Sequence, residues 1–268
     1  MTERLVTLTT TNGVAQVTLD RPARRNALTR ELLAQLVATV AEAAANATTR
    51  LIVLEGNGPA FCAGMDLDEM QQRASAPDSR AQWDQDAAGY RDALVALLRA
   101  DVPTLAVVHG PAIAGGFGLV LACDLVLATH NAKFSLPEVK RGISPAVVSP
   151  LLLYRIGHGP AMPLLLDGEL ITGEEAYRLG ICHYLSAPEQ LAATRQKIVT
   201  SLLGGAPQAL AATKRLVRSF ELEKLIQQLE AGRKVSAEAR ASSEAREGLT
   251  AFHEKRDPKW VIKGAPFA

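Results

Sequence analysis

The sequence predicts an α/β fold that ends in a helical C-terminal segment. Short strand-like runs alternate with helical patterns up to about residue 190, and helical patterns fill the remainder. A strand–loop–helix unit recurs around residues 14–45, 51–72 and 104–122. Hydrophobic residues make up 48% of the 268 residues, which is enough for a substantial core. We therefore divide the chain into a core, residues 1–195, and a helical segment, residues 196–268.

The strands are predicted from β-rich runs that end at turn residues. Residues 5–10 and 14–19 flank the pair Asn12-Gly13, which is typical of a tight β-hairpin. Further strands are expected at residues 51–54, 104–108, 124–128 and 133–135.

The helices are predicted from apolar residues at helical spacing and from capping residues. Thr29 is expected to cap the helix that carries Leu32, Leu33 and Leu36, and Thr172 with Glu175 forms a capping-box pair. Other helices are expected at residues 78–100, 119–123, 147–156, 160–166, 190–203 and 207–220, with one helix or a pair over 222–250.

Composition and charge exclude several classes of protein. The net charge of +1 provides no overall positive potential for binding nucleic acid. Lys214, Arg215 and Arg218 could form a local basic face, so RNA binding stays open as an alternative. Three cysteines and five histidines show no metal-ligand spacing, and the cysteines fit a reducing compartment. No signal segment and no apolar run of about 18 residues is present, so we expect a cytoplasmic protein without membrane contact.

Two glycine-bearing stretches, residues 58–67 and 109–119, each follow a strand-like run and lead into a helix. The first N–H groups of a helix have no intrahelical acceptor, and they lie at the positive end of its dipole. Two such groups that converge would form an oxyanion hole. Neither stretch has the spacing of a P-loop or of a dinucleotide-binding fingerprint.

Four motifs in this order resemble the enoyl-CoA hydratase/isomerase (crotonase) family, with bacterial enoyl-CoA and methylglutaconyl-CoA hydratases as the most similar members. They are Arg21-Pro22 with Asn26-Ala27-Leu28, Gly58 with Ala60 to Leu67, Ala114 to Leu119 with Cys123-Asp124, and Phe134 to Glu138. Phe252 to Arg256 with Pro258 is similar to the C-terminal tail of that family.

The resemblance implies a spiral of ββα repeats with a C-terminal trimerisation segment, in a homotrimer or hexamer. It implies an acyl-CoA substrate, with no cofactor besides the CoA that the substrate carries and no metal. The backbone N–H groups of Met65 and Gly115 would hold the thioester oxygen, and Glu138 would be the catalytic acid or base.

The resemblance also implies a set of CoA contacts. Arg25, Ala63, Asp66 and Leu67 would line the groove for adenine and pantetheine. The C-terminal residues that would reach CoA, within the same subunit or from a neighbouring one, are Phe252 and Lys255.

One position departs from the family pattern. Hydratases of this family generally carry a first glutamate three residues after the second oxyanion glycine, where this chain has Gly118. We expect an enoyl-CoA hydratase that relies on Glu138. A Δ3,Δ2-enoyl-CoA isomerase with a single glutamate and a non-catalytic acyl-CoA-binding protein stay open as alternatives.

Several other polar or aromatic residues have open roles in the sequence. Ser144 or Asp68 could assist Glu138. Trp83, Tyr90 and Leu94 could line an acyl pocket, but ordinary core packing explains their spacing as well. His109, at a strand end, is expected to form a structural hydrogen bond.

Overall fold

The structure is a computed structural model that describes residues 3–74 and 76–262. Within them the main sheet has six strands, in the order β1-β2-β3-β4-β6-β9, and a smaller sheet has the order β5-β7-β8. The strands are β1 (Val6–Thr11), β2 (Val14–Leu19), β3 (Leu51–Gly56), β4 (Thr104–Val108), β5 (Pro111–Ile113), β6 (Leu125–Thr129), β7 (Lys133–Ser135), β8 (Ile171–Thr172) and β9 (Tyr184–Ser186).

The helices surround these sheets and then extend to the C-terminal end of the described chain. They are α1 (Arg30–Ala45), α2 (Leu67–Ala74), α3 (Ser79–Arg99), α4 (Gly115–Ala122), α5 (Ser149–Ile156), α6 (His158–Leu166), α7 (Gly173–Arg178), α8 (Leu191–Gly204), α9 (Pro207–Arg240) and α10 (Ser243–His253). The predicted α/β architecture with a helical C-terminal segment is therefore confirmed.

Local sequence signals account for the first hairpin and for two helix starts. Asn12 and Gly13 both have positive φ angles, of 50° and 80°, as a tight turn between antiparallel β1 and β2 requires. The Thr29 side chain accepts a hydrogen bond from the Leu32 N–H, and Thr172 and Glu175 form the predicted capping box.

The parallel part of the main sheet brings the two glycine stretches together. Strands β3 and β4 are parallel neighbours, so their carboxyl ends lie at the same edge of the sheet. The sheet is covered by α1 and α3 on one face, within the larger core cluster, and by α8 on the other, where Ile198 and Val199 pack against Leu51 and Val53. The loops that follow β3 and β4 are the two glycine stretches.

Two predicted helix boundaries were wrong. The helix after the second glycine stretch begins at Gly115 rather than at residue 119, because Ala114 (φ 50°) ends the extended backbone immediately before it. Residues 207–240 form one continuous helix without a break near residue 221, where the sequence has no glycine or proline. The break falls at Ala241-Ser242, where the Ser242 side chain caps α10.

The short strands β5, β8 and β9 have two or three residues each and were not predicted, because so short a run carries no periodicity. The division of the chain at residue 195 stays a prediction, since α8 crosses that position. Among the described residues, no helix combines the length and the apolar character needed to cross a bilayer.

Candidate active site

The two glycine stretches are joined by backbone hydrogen bonds on both sides of Cys62. Its N–H donates to the Pro111 carbonyl (3.1 Å), and its own carbonyl accepts from the Ile113 N–H (2.9 Å). A Cβ atom added to Gly116 would overlap the Cys62 backbone, so glycine is needed for this close approach. The first stretch thus lies directly against the start of α4.

Backbone conformation at this junction is unusual. Ala114 has φ 50° and ψ −119°, a region that L-residues rarely adopt. Gly64 has φ 89°, and a Cβ placed on it would lie 3.4 Å from the Gly115 nitrogen. The backbone turns at Gly64 and Ala114 bring Met65 and Gly115 together, and both Met65 and Gly115 line the same pocket.

The N–H groups of Met65 and Gly115 have no acceptor among the backbone hydrogen bonds of the described loops and turns. Gly115 is the first residue of α4, where an N–H group has no intrahelical partner. The residues next to them in the chain do have acceptors. The Asp66 N–H donates to the Leu28 carbonyl, and the Ala114 N–H donates to the Ser135 carbonyl. Two residues whose N–H groups have no backbone acceptor in the described part of the chain therefore line one pocket. An oxyanion site needs two such donors.

Glu138 lines the same pocket, in the 3₁₀ turn that follows β7. The residue as a whole is half-buried, but the Oε2 atom of its carboxyl is shielded from solvent, with no hydrogen-bond partner in the described part of the chain. Burial raises the pKa of Glu138 to about 7, although its own backbone N–H and the nearby guanidinium groups of Arg141 and Arg240 act in the opposite direction. A carboxyl with this pKa can both accept and donate a proton near neutral pH.

Tyr90 of α3 occupies the space beside Gly118. Its hydroxyl donates a 2.8 Å hydrogen bond to the Gly115 carbonyl, and a Cβ atom added to Gly118 would overlap that hydroxyl. The ring is 3% exposed, and burial raises the pKa of the phenol well above its usual value. The hydroxyl therefore stays protonated, and a carboxylate side chain at position 118 would have no room.

Arg240, the last residue of α9, also lines the pocket and was missed in the sequence. It is 9% exposed, and its Nε and Nη1 atoms have no hydrogen-bond partner among the described residues. Its guanidinium carbon lies 6.0 Å from the ring centre of Trp83. An arginine in a long charged helix gives no signal of burial in the sequence, so only the fold reveals it.

The predicted CoA-contact residues of the first stretch lie near the pocket. Ala63 and Leu67 line it, and the Ala63 N–H donates to the carbonyl of the exposed Arg25 (3.0 Å). The Asp66 carboxylate is buried, accepts from Arg21 (2.6 Å), and caps α2 through the N–H groups of Asp68 and Glu69. The Asp66 side chain is thus held by the protein itself, so any CoA contact there would involve its backbone.

The predicted C-terminal contact residues are exposed. The ring of Phe252 lies 4.7 Å from the guanidinium carbon of Arg141, and Arg141 lines the pocket. Phe252 is therefore next to the pocket of its own subunit. Lys255 follows the end of α10, with a φ angle of 54°.

The remaining candidates divide into pocket and structural residues. Ser144 lines the pocket, whereas the exposed Asp68 pairs with Arg24. His109 makes the expected structural hydrogen bond, to the Gly58 carbonyl (2.8 Å). The local basic face is not formed, because Lys214 and Arg218 are directed towards Asp124 and are largely buried. The described residues contain no group of histidine, cysteine and carboxylate side chains that could hold a metal ion.

Comparison with known proteins agrees with this geometry. The family model described as enoyl-CoA hydratase/isomerase matches residues 9–263. The chain is 34% identical to the Escherichia coli 2,3-dehydroadipyl-CoA hydratase, over 91% of this chain and 94% of that protein. It is 32% identical to the E. coli 1,2-epoxyphenylacetyl-CoA isomerase, over 94% and 96% respectively.

The fold has close counterparts among solved structures. A crystal structure of an enoyl-CoA hydratase from Mycobacterium avium superposes with a TM-score of 0.85 at 32% identity, over 97% of this chain and all of that one. The expected crotonase fold is confirmed by this similarity. With the family model matching nearly the whole chain, the protein belongs to the enoyl-CoA hydratase/isomerase family.

Proposed function

We propose that this protein is an enoyl-CoA hydratase, a lyase that adds water across the 2,3-double bond of an enoyl-CoA thioester. The observation that supports the proposal is that Glu138, with a pKa raised to about 7 by burial, lines the same pocket as Met65 and Gly115, whose N–H groups have no backbone acceptor among the described residues. The substrate supplies its own CoA, and the proposed reaction uses no further cofactor.

The two N–H groups would stabilise the charge that develops during the reaction. When the oxygen of water bonds to the β-carbon, the π electrons of the double bond move towards the thioester and leave negative charge on its oxygen. Donors preorganised at that position stabilise this enolate more than the neutral thioester, and loss of one such donor typically costs about 10²–10³ in rate.

Glu138 would carry the proton in both directions. As a carboxylate it removes a proton from the attacking water, and as a carboxylic acid it then delivers a proton to the α-carbon. Tyr90 leaves no space for a second carboxylate at position 118, so one carboxyl must perform both transfers. Its pKa near 7 makes the two forms similarly accessible.

An isomerase is the second candidate, and the Tyr90–Gly118 contact favours it. Moving a double bond from the 3,4 to the 2,3 position needs a proton to leave the α-carbon and another to enter at the γ-carbon, which one carboxyl can accomplish. The relatives of this chain include a protein named as a 2,3-dehydroadipyl-CoA hydratase and one named as an enoyl-CoA isomerase/hydratase.

A product assay separates these candidates. The purified protein is incubated with a 2-enoyl-CoA and, separately, with the matching 3-enoyl-CoA, and the products are identified by mass spectrometry. The hydratase proposal predicts a 3-hydroxyacyl-CoA from the 2-enoyl substrate. Conversion of the 3-enoyl substrate to the 2-enoyl product without hydration supports the isomerase, and binding of both thioesters without turnover supports a non-catalytic acyl-CoA-binding protein.

We also propose a homotrimer, or a hexamer of two trimers, that works in the cytoplasm. Large apolar side chains lie exposed on the isolated chain, on α6 (Leu166, 68% exposed) and on α9 (Phe220, 71%). Such surfaces are usually covered in an assembly. Light scattering coupled to size-exclusion chromatography measures the assembly mass, and a monomer would contradict the proposal.

A further inference from the structure

The pocket holds more positive than negative charge. Of the residues that the structure describes, those with charged side chains that line it are Arg141 and Arg240, with guanidinium groups, and Glu138, with a carboxyl. Because the Glu138 pKa is about 7, this carboxyl is partly neutral at physiological pH. A pocket of this charge favours a substrate that brings a negative group of its own.

Arg240 is a pocket cation that forms no ion pair with any residue that the structure describes. The fully buried carboxylate of Asp86 already forms ion pairs with Arg30 and with Arg73, the latter at 3.0 Å. No ion pair links Arg240 to any described carboxylate, although Asp86 and Glu138 both act on it electrostatically. Two of its nitrogen atoms are buried without a hydrogen-bond partner among the described residues. A buried, unpaired arginine is costly to the fold unless a ligand completes its hydrogen bonds.

The position of Arg240 fits recognition of the acyl group. Ser236, one helical turn earlier on α9, is 3% exposed and lines the same pocket, so a hydroxyl and a guanidinium group lie on one face of the helix. The cavity has a volume of about 80 Å³, which is small beside the several hundred Å³ of a typical ligand pocket. This volume suits a short acyl chain.

We propose that Arg240 binds a carboxylate on the acyl chain, so that the preferred substrates are short acyl-CoA thioesters that end in a carboxylate. This inference rests on the proposed function, since it assumes that the pocket receives the acyl part of a CoA thioester. The planar guanidinium group matches the two oxygens of a carboxylate, and Ser236 can donate a further hydrogen bond.

Binding of saturated thioesters tests the inference without any turnover. Glutaryl-CoA and pentanoyl-CoA have the same chain length and differ in the terminal carboxylate. Titration calorimetry should show glutaryl-CoA binding about 10–100-fold more tightly to the wild-type protein, the range expected for hydrogen bonds to a charged group. In Arg240→Met this preference should vanish, while the affinity for pentanoyl-CoA changes less than about threefold.

Arg233→Met is the matched control. Arg233 lies two turns earlier on α9, but its guanidinium group is bonded to Glu230 and Asp84, so this variant should keep the preference for glutaryl-CoA. Should Arg240→Met not fold, Arg240→Lys retains the charge without the planar fork and should reduce the preference only partly.

The outcomes separate this inference from the proposed function. Equal affinity of the wild-type protein for the two thioesters, or an Arg240→Met variant that keeps the preference, overturns the carboxylate site and leaves the hydratase proposal standing. Failure of the wild-type protein to bind either thioester contradicts the CoA site itself, and the inference falls with it.

Discussion

Helix α9 buries positive charge near both ends, but the described carboxylates form ion pairs with Lys214 and Arg218 near its start and none with Arg240, its last residue. Near its start, Lys214 and Arg218 are directed at Asp124, which also accepts hydrogen bonds from the backbone and hydroxyl of Thr104. At its last residue, Arg240 lines the pocket, and two of its nitrogen atoms have no hydrogen-bond partner within residues 3–74 and 76–262.

The difference shows how one helix serves both stability and function. The ion pairs of two largely buried cations, Lys214 and Arg218, with Asp124 tie α9 to the start of β4 and the start of β6, and they need no ligand. Unsatisfied polar atoms are costly, and here Arg240, Glu138 and the two free N–H groups collect in a single pocket. Local rules of stability are typically broken where a protein functions.

The largest effect is expected from Glu138→Gln. Glutamine keeps the size of the side chain but cannot accept the proton of water, so kcat should fall by about 10²–10⁴. Affinity for a saturated acyl-CoA, measured by calorimetry, should stay within about threefold of the wild-type value, because binding does not need proton transfer.

Ser144→Ala serves as a comparison within the same pocket, and it should lose much less activity because Ser144 carries no proton in the proposed mechanism. A Glu138→Gln variant that retains wild-type kcat would show that another residue performs the acid–base chemistry.

Near the start of α9, where Lys214 and Arg218 pair with Asp124, the substitution Asp124→Asn should destabilise the protein strongly. Removal of this charge leaves Lys214 and Arg218 buried without an anion, at a cost of about 3–5 kcal/mol in the free energy of unfolding. Urea unfolding followed by circular dichroism measures the loss. The exposed pair of Arg99 and Glu223 is a control, since Glu223→Gln should change stability by less than about 1 kcal/mol. If both variants lose the same small amount, the buried cluster is not what holds α9.

A smaller effect is expected where Tyr90 meets α4. Gly118→Ala forces a methyl group against the Tyr90 hydroxyl and should cost about 1–3 kcal/mol in unfolding free energy. Adding Tyr90→Phe removes the hydroxyl and should restore part of that loss.

Gly116→Ala is the matched control, because its methyl group would meet the Cys62 backbone, and Tyr90→Phe should give it no relief. An equal effect of Tyr90→Phe on both glycine variants would contradict the proposed contact. Thermal unfolding of the four variants and the wild type provides the comparison.

The smallest change in stability is expected at the C-terminal end of α9, where Arg240 forms no ion pair with a described residue. Arg240→Met replaces a buried cation that lacks an ion pair with an apolar side chain of similar length, so the free energy of unfolding should change by less than about 1 kcal/mol or rise. The same urea experiment applies. A loss as large as that of Asp124→Asn would mean that Arg240 is held by a structural partner, and the contrast between the two ends of α9 would disappear.

The sequence predicted the parts of this molecule that have local causes. Asn12-Gly13 forms a turn and Thr29 caps a helix, and both effects depend only on residues a few positions away. The glycine stretches were recognisable because close backbone contacts exclude side chains. Tyr90 was a candidate pocket residue, and it does line the pocket, but its contact with Gly118 could not be predicted. The position of Arg240 could not be predicted either, because each of these residues lies on a helix far in the sequence from the residues that it contacts. The absence of an acid at position 118 was visible in the sequence, but the hydroxyl that occupies its space was not.

The most direct test of the account is the dependence of kcat/KM on pH for hydration of a 2-enoyl-CoA. The ionised form of Glu138 must accept the proton of water, and its pKa in the free protein is about 7. We therefore predict that kcat/KM is low at pH 5, rises with a midpoint near pH 7 and reaches a plateau above it. A profile that is flat between pH 5 and pH 9 would contradict the claim that Glu138 alone performs the acid–base chemistry.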